Sequence, residues 1–132
     1  MSAEPKHDKA GAPSVALALV LMLAALAGAA GVGLAAAAAH RVDSPALATA
    51  ATMLMIHASA VVALLAYAKS RAWIFAAATM LAAVTLFSGT IAVNTLTGIA
   101  LPKLFAPVGG SLLIASWLGV AVVAALEARR AR

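Results

Sequence analysis

Four long apolar runs separated by short polar turns set the pattern of the chain. They occupy residues 14–39, 45–68, 72–97 and 107–126, after a polar tail over 1–12. About 20 apolar residues at ~1.5 Å each cross the ~30 Å hydrocarbon core of a bilayer as a helix, and every run is long enough. The turns carry helix punctuation. Ser44 before Pro45 offers an N-cap hydroxyl and then proline at the first helical position. Lys69-Ser70-Arg71 is so short that the second and third runs must form an antiparallel hairpin. Tyr67, Lys69 and Trp73 sit where interface anchors belong. Gly98 to Ala106 makes the third turn, with Pro102 and Lys103, and Pro107 suits the first turn of the last run. Ala25-Leu26-Ala27 resembles a signal-peptide cleavage site, but the surrounding apolar run is longer than a signal core, so it reads as a span. The pattern predicts one all-α membrane domain over 1–132, a four-helix transmembrane bundle running up-down-up-down.

Composition sharpens this picture. The chain is 65% hydrophobic and 10% charged, against about 25% charged in soluble domains. A soluble domain of this size lacks the interior to hide so much apolar surface. The bilayer is therefore the expected solvent. The basic residues are unevenly placed. Lys6, Lys9, Lys69, Arg71, Arg129, Arg130 and Arg132 fall on one side of a four-span layout, and Arg41 and Lys103 on the other. The positive-inside rule then puts both termini in the cytoplasm, or its organellar equivalent. The net charge of +5 does not indicate nucleic acid, because the basic residues flank spans and form no aromatic-studded patch. With no cysteine in the chain, disulfides, thiolate metal sites and thiol nucleophiles are excluded.

Within the spans, chemistry-bearing residues are few. In the first, Ala29, Gly33 and Ala37 recur every four residues on one face, and Gly28 and Gly31 make a second smooth patch. Small residues let helix backbones approach closely in lipid, so Gly28, Ala29, Gly33 and Ala37, with Gly109 and Gly110 on the fourth span, form the candidate packing seam. His57 lies twelve residues into the second span, about 18 Å down, near mid-membrane. Equal depth predicts a polar layer of His57, Thr85 or Ser88, and Trp117. An ionisable residue within a span is a functional candidate by default, yet a neutral, hydrogen-bonded histidine is also a sound structural element. His40 is an outer-turn candidate, about 18 Å in depth from His57 by helix counting, and no carboxylate lies within a span to join them. No metal, cofactor or catalytic site is expected. His40, Arg41 and Asp43 read as a solvated turn with a capping aspartate.

Several stretches together resemble the family called domain of unknown function 423. They are the glycine-rich run over 31–40 ending Ala39-His40, Met55-Ile56-His57-Ala58, Leu86-Phe87-Ser88-Gly89-Thr90, Leu96-Thr97-Gly98, and Ala106-Pro107-Val108-Gly109-Gly110 followed by Trp117. The chain departs from the family pattern at residues 34–39, which are softened to alanines, and at residues 52–55, which lack the usual aromatics and glutamine before the second histidine. The resemblance implies four helices and an inner-membrane location, and brings no activity. The expected function is that of a non-catalytic, multi-pass inner-membrane protein. It would be an accessory or assembly component packing against itself or a larger membrane complex within the lipid bilayer. The alternative is a small oligomeric transporter or channel for a proton or small solute through the His57 layer.

Overall fold

The computed structural model describes residues 14–68 and 70–131. The polar tail expected over 1–12, and the basic Lys69 and Arg132, lie outside the described residues. Four helices follow one another: α1 (Val15–His40), α2 (Pro45–Tyr67), α3 (Arg71–Thr97) and α4 (Phe105–Arg130). Each is long and apolar enough to cross a membrane, and no strand occurs among the described residues.

Local chemistry sets most helix ends. The Ser14 hydroxyl accepts the Leu17 N–H at 3.3 Å and the Ser44 hydroxyl accepts the Leu47 N–H at 3.2 Å, with Pro45 opening α2. Gly98 ends α3 in the left-handed region at φ 72°, a conformation that strains any side chain bearing a Cβ. Beyond it the chain is held back on α3, because Leu101 N–H donates to Asn94 Oδ1 at 2.8 Å and Ile99 N–H to Thr97 Oγ1 at 3.1 Å. The last helix begins at Phe105, two residues ahead of the expected Pro107, and runs on to Arg130. Proline is still tolerated there, because first-turn N–H groups have no helical acceptor to lose.

The central layer is the α2–α3 hairpin. Leu54, Val61 and Leu65 meet Ala77, Met80, Leu81 and Val84 in its core, and the Ser88 hydroxyl donates across to the Ala50 carbonyl at 2.9 Å. Helix α1 lies mainly on α2 and α4 lies on α3, and α1 and α4 share no close backbone contact. They occupy opposite sides of the hairpin. On α2 the residues meeting α1 are Ala51, Met55 and Ala58, whereas Met53 and His57 meet the α4 side, roughly 140° around the helix at 3.6 residues per turn. At the end carrying the termini, Ser70 donates to Glu127 Oε1 at 2.7 Å, tying the start of α3 to the end of α4. Trp73, expected as an interface aromatic, is buried there with its ring edge-on to Tyr67 at 5.4 Å.

The seam residues divide between packed and open faces. Gly31 is the glycine on which α1 meets α2. A Cβ there would lie 2.6 Å from Met55 Cγ and 3.3 Å from the Ala51 carbonyl oxygen, and Gly28 faces Ala58 at an ordinary 3.7 Å. Ala29 is exposed, and nothing approaches within 4 Å of a Cβ on Gly33. The face carrying Ala29, Gly33 and Ala37 thus turns away from the α2 contact. Gly31→Ala is expected to destabilise by about 1 kcal/mol or more through overpacking, whereas Gly33→Ala stays within about 0.5 kcal/mol of wild type. Thermal unfolding of the two variants in detergent checks this. Equal effects would reject the assignment of Gly31, and not Gly33, to the contact.

Candidate functional site

His57 sits on the side of α2 that turns toward α4, and the residue is 8% exposed. Its Nδ1 lies 2.7 Å from the Met53 carbonyl oxygen, one helical turn back. A carbonyl can only accept, so Nδ1 carries the hydrogen. The other nitrogen, Nε2, accepts the indole N–H of Trp117 at 3.2 Å. The rings meet edge to face, centroids 6.1 Å apart at 64°. Both partners together fix the neutral Nδ1–H tautomer. The pair bridges α2 and α4, helices that share no close backbone contact. Beside it lies a cleft of about 270 Å³, walled by Met53, Phe87, Gly110, Leu113 and Ile114.

The approach of α4 depends on Gly109. A Cβ at that position would lie 2.6 Å from Phe87 N and 2.8 Å from Phe87 Cα, while one on Gly110 would meet the Phe87 ring at 3.7 Å. Close approach of α4 at Gly109 lets Trp117, two turns further on, reach over α3 to His57.

The other expected members of the layer lie elsewhere. Ser88 is fully buried between α2 and α3 at the level of Ala50, seven residues or about 10 Å from His57 toward the outer turns. Thr85 is exposed on the opposite flank of α3, its hydroxyl returned to the Leu81 carbonyl at 2.8 Å. The structure therefore brings His57 and Trp117 together and leaves Ser88 and Thr85 apart. The reason is register: α3, at 27 residues, is longer than α2, at 23, so counting inward from both outer ends misaligns them. His40 closes α1, exposed at the outer end. Met53 carries no polar side chain to mark it, and its carbonyl role was invisible in the sequence. The Ser70–Glu127 bond was signalled only by a lone carboxylate at the end of the fourth run.

Chemically the pair is closed. The one imidazole lone pair is occupied by Trp117 and the one imidazole N–H by Met53. Neither is free for a metal, a ligand or a travelling proton unless a bond is first broken. Among the described residues, no three His, Cys, Asp or Glu side chains gather.

Four spanning-length helices, two of them packed on the central α2–α3 hairpin, define a multi-pass α-helical membrane protein. The chain belongs to the family described as Protein of unknown function (DUF423), whose profile matches residues 34–110. The match takes in His57, Ser88 and Gly109 and ends before Trp117. Comparison with curated proteins gave no match, and comparison with solved structures gave none.

Proposed function

We propose that the protein is a non-catalytic, multi-pass protein of the cell inner membrane, with both termini cytoplasmic. It acts as an accessory or assembly component by packing against copies of itself or a larger membrane complex. The observation that carries this reading is the disposition of the outer helices. Of α1 only Ala24 and Gly31 are buried, and of α4 only Gly109, Leu113 and Ser116. These helices lie on opposite sides of the hairpin, so two broad apolar faces remain for other membrane helices. Small residues such as Ala29 on one face permit close approach. The bias of basic residues toward the end with the termini supports the orientation. A His57 whose two nitrogens are both engaged suits a structural role.

Affinity purification of the tagged protein from native membranes in mild detergent, with mass spectrometry of the eluate, tests the reading. Stoichiometric recovery of a second copy or a larger complex is expected. Ala29→Leu should reduce that recovery while leaving thermal unfolding unchanged, because Ala29 is exposed within the monomer. A lone monomer would refute the proposal. So would a homo-oligomer that conducts protons or a small solute in liposomes and loses that flux in His57→Ala.

A further inference from the structure

Between α1 and α3 runs a groove of about 1250 Å³. On α1 it extends from Val20 to Ala37, and on α3 from Ala78 to Leu96. Eighteen residue steps on α3 correspond to about 27 Å, well beyond the ~15 Å of one leaflet of a ~30 Å core. The groove is not centred in the protein. Leu96 is the last residue but one of α3, so the groove reaches the outer end. Ala78 lies seven residues inside Arg71, so the groove stops about 10 Å short of the opposite end, where Leu17 and Ile74 pack against the core.

The lining is apolar. Its hydroxyls belong to Thr85 and Thr90, and both donate to carbonyls of their own helix, Leu81 and Leu86, at 2.8 and 2.6 Å. No free donor faces an occupant. The outer mouth is formed by Ala37, Leu96, Leu101 and Phe105, and the bond from Leu101 N–H to Asn94 holds the loop in place. Two basic residues stand beside this mouth in the chain. Arg41 stands one helical turn beyond Ala37, and Lys103 stands between Leu101 and Phe105. Both are exposed, and neither side chain has a hydrogen bond or ion pair among the described residues. Asp43 is the one acidic residue at this end, with His40 beside Arg41.

We propose that the groove is a lipid site for a phosphate-headed lipid whose single long tail exceeds one leaflet, such as a polyprenyl phosphate. The tail lies along α1 and α3, and the phosphate sits at the mouth between Arg41 and Lys103. Length, apolar lining and cations at the one end the groove reaches all fit this occupant. A partner's spanning helix fits less well. It is 10–12 Å across and must pass both membrane surfaces, while this groove ends short on one side and has a pinned loop at the other. The proposal is independent of the accessory reading, since it uses residues other than Ala29.

The test is native mass spectrometry of the protein released from phosphatidylcholine nanodiscs doped with equal amounts of a long-chain polyprenyl phosphate and phosphatidic acid. Wild type should retain one polyprenyl phosphate in preference to phosphatidic acid. Arg41→Gln and Lys103→Gln should each weaken retention by about fivefold, the effect of one surface cation on an anionic lipid. Ala82→Phe, an exposed position in the α3 wall, should block retention with thermal unfolding unchanged. Retention no greater than for phosphatidylcholine, equal retention of phosphatidic acid, insensitivity to all three substitutions, or a second protein chain released by Ala82→Phe would each overturn the proposal.

Discussion

Gly109→Ala is expected to loosen α4 from the rest of the protein, although it adds only a methyl group. The added Cβ would stand 2.6 Å from the Phe87 nitrogen and 2.8 Å from its Cα. These are backbone atoms of a helix and cannot swing away as a side-chain tip does. The helices must separate instead, and the contacts around Leu113 and Ser116 go with them. Overpacking of this kind costs about 1–3 kcal/mol, set against a gain in helix propensity of under ~1 kcal/mol. A clear drop in unfolding midpoint in detergent is the expected readout. Gly110→Ala is the control. Its Cβ would meet the Phe87 ring at 3.7 Å, an ordinary contact, and the variant should fall within about 0.5 kcal/mol of wild type. If the two variants behave alike, Gly109 does not set the α3–α4 distance.

The second large effect should come from His57→Leu. Leucine fills similar space but leaves the Trp117 indole N–H without its acceptor. An orphaned donor costs about 1–3 kcal/mol in a protein interior, and membrane hydrogen bonds measured by double-mutant cycles average only ~0.6 kcal/mol. A loss of about 1 kcal/mol is the expected magnitude, because Trp117 is 46% exposed and can move. His57→Gln, with an acceptor at similar reach, should recover part of it. Trp117→Phe alone should be milder, since it leaves only a lone pair unmet. The His57→Leu, Trp117→Phe double variant should be less destabilised than the sum of the singles. Additive losses would mean that the pair carries no coupling and the 3.2 Å contact is incidental.

These two effects are linked by geometry. Gly109 sets how near α4 comes to α3, and that approach brings Trp117 over Phe87 to His57. The intrinsic fluorescence of Trp117 should therefore shift in Gly109→Ala as it does in His57→Leu. Trp73, the other tryptophan, is buried at the far end against Tyr67 and provides a reference signal.

Much of this protein was legible from its residues in order. Run length against bilayer thickness gives four helices, because a lipid-embedded backbone must satisfy its own hydrogen bonds. Ser44-Pro45 marked the start of α2, and Gly98 is the left-handed stop of α3. Position along a helix is also a linear property, and it grouped His57 with Trp117, which meet, and with Thr85 or Ser88, which do not join them. The start of α4 at Phe105 was less legible, since proline is acceptable anywhere in a first turn and so marks the end only approximately.

Facing direction and register were decided by the tertiary structure. Of the two smooth patches on α1, the one with Gly31 and Gly28 meets α2, and the stripe of Ala29, Gly33 and Ala37 turns away from it. A helix of alanine, glycine and leucine is nearly the same on every side, so only the shape of its partner chooses a face. The extra length of α3 shifts its register against α2 and so moves Ser88 and Thr85 off the level of His57, while their different angular positions on α3 give Ser88 to α2 and leave Thr85 exposed. The placement of α1 and α4 on opposite sides of the hairpin, which opens the groove along α3, likewise depends on all four helices at once. The sequence by itself determined the solvent, the number of helices and the position of each polar residue along its own helix, because those depend on the chain one segment at a time. Only the packed structure decided which residues meet, because helix contacts in lipid depend on shape and hydrogen bonding between segments and not on an apolar pattern that all four share.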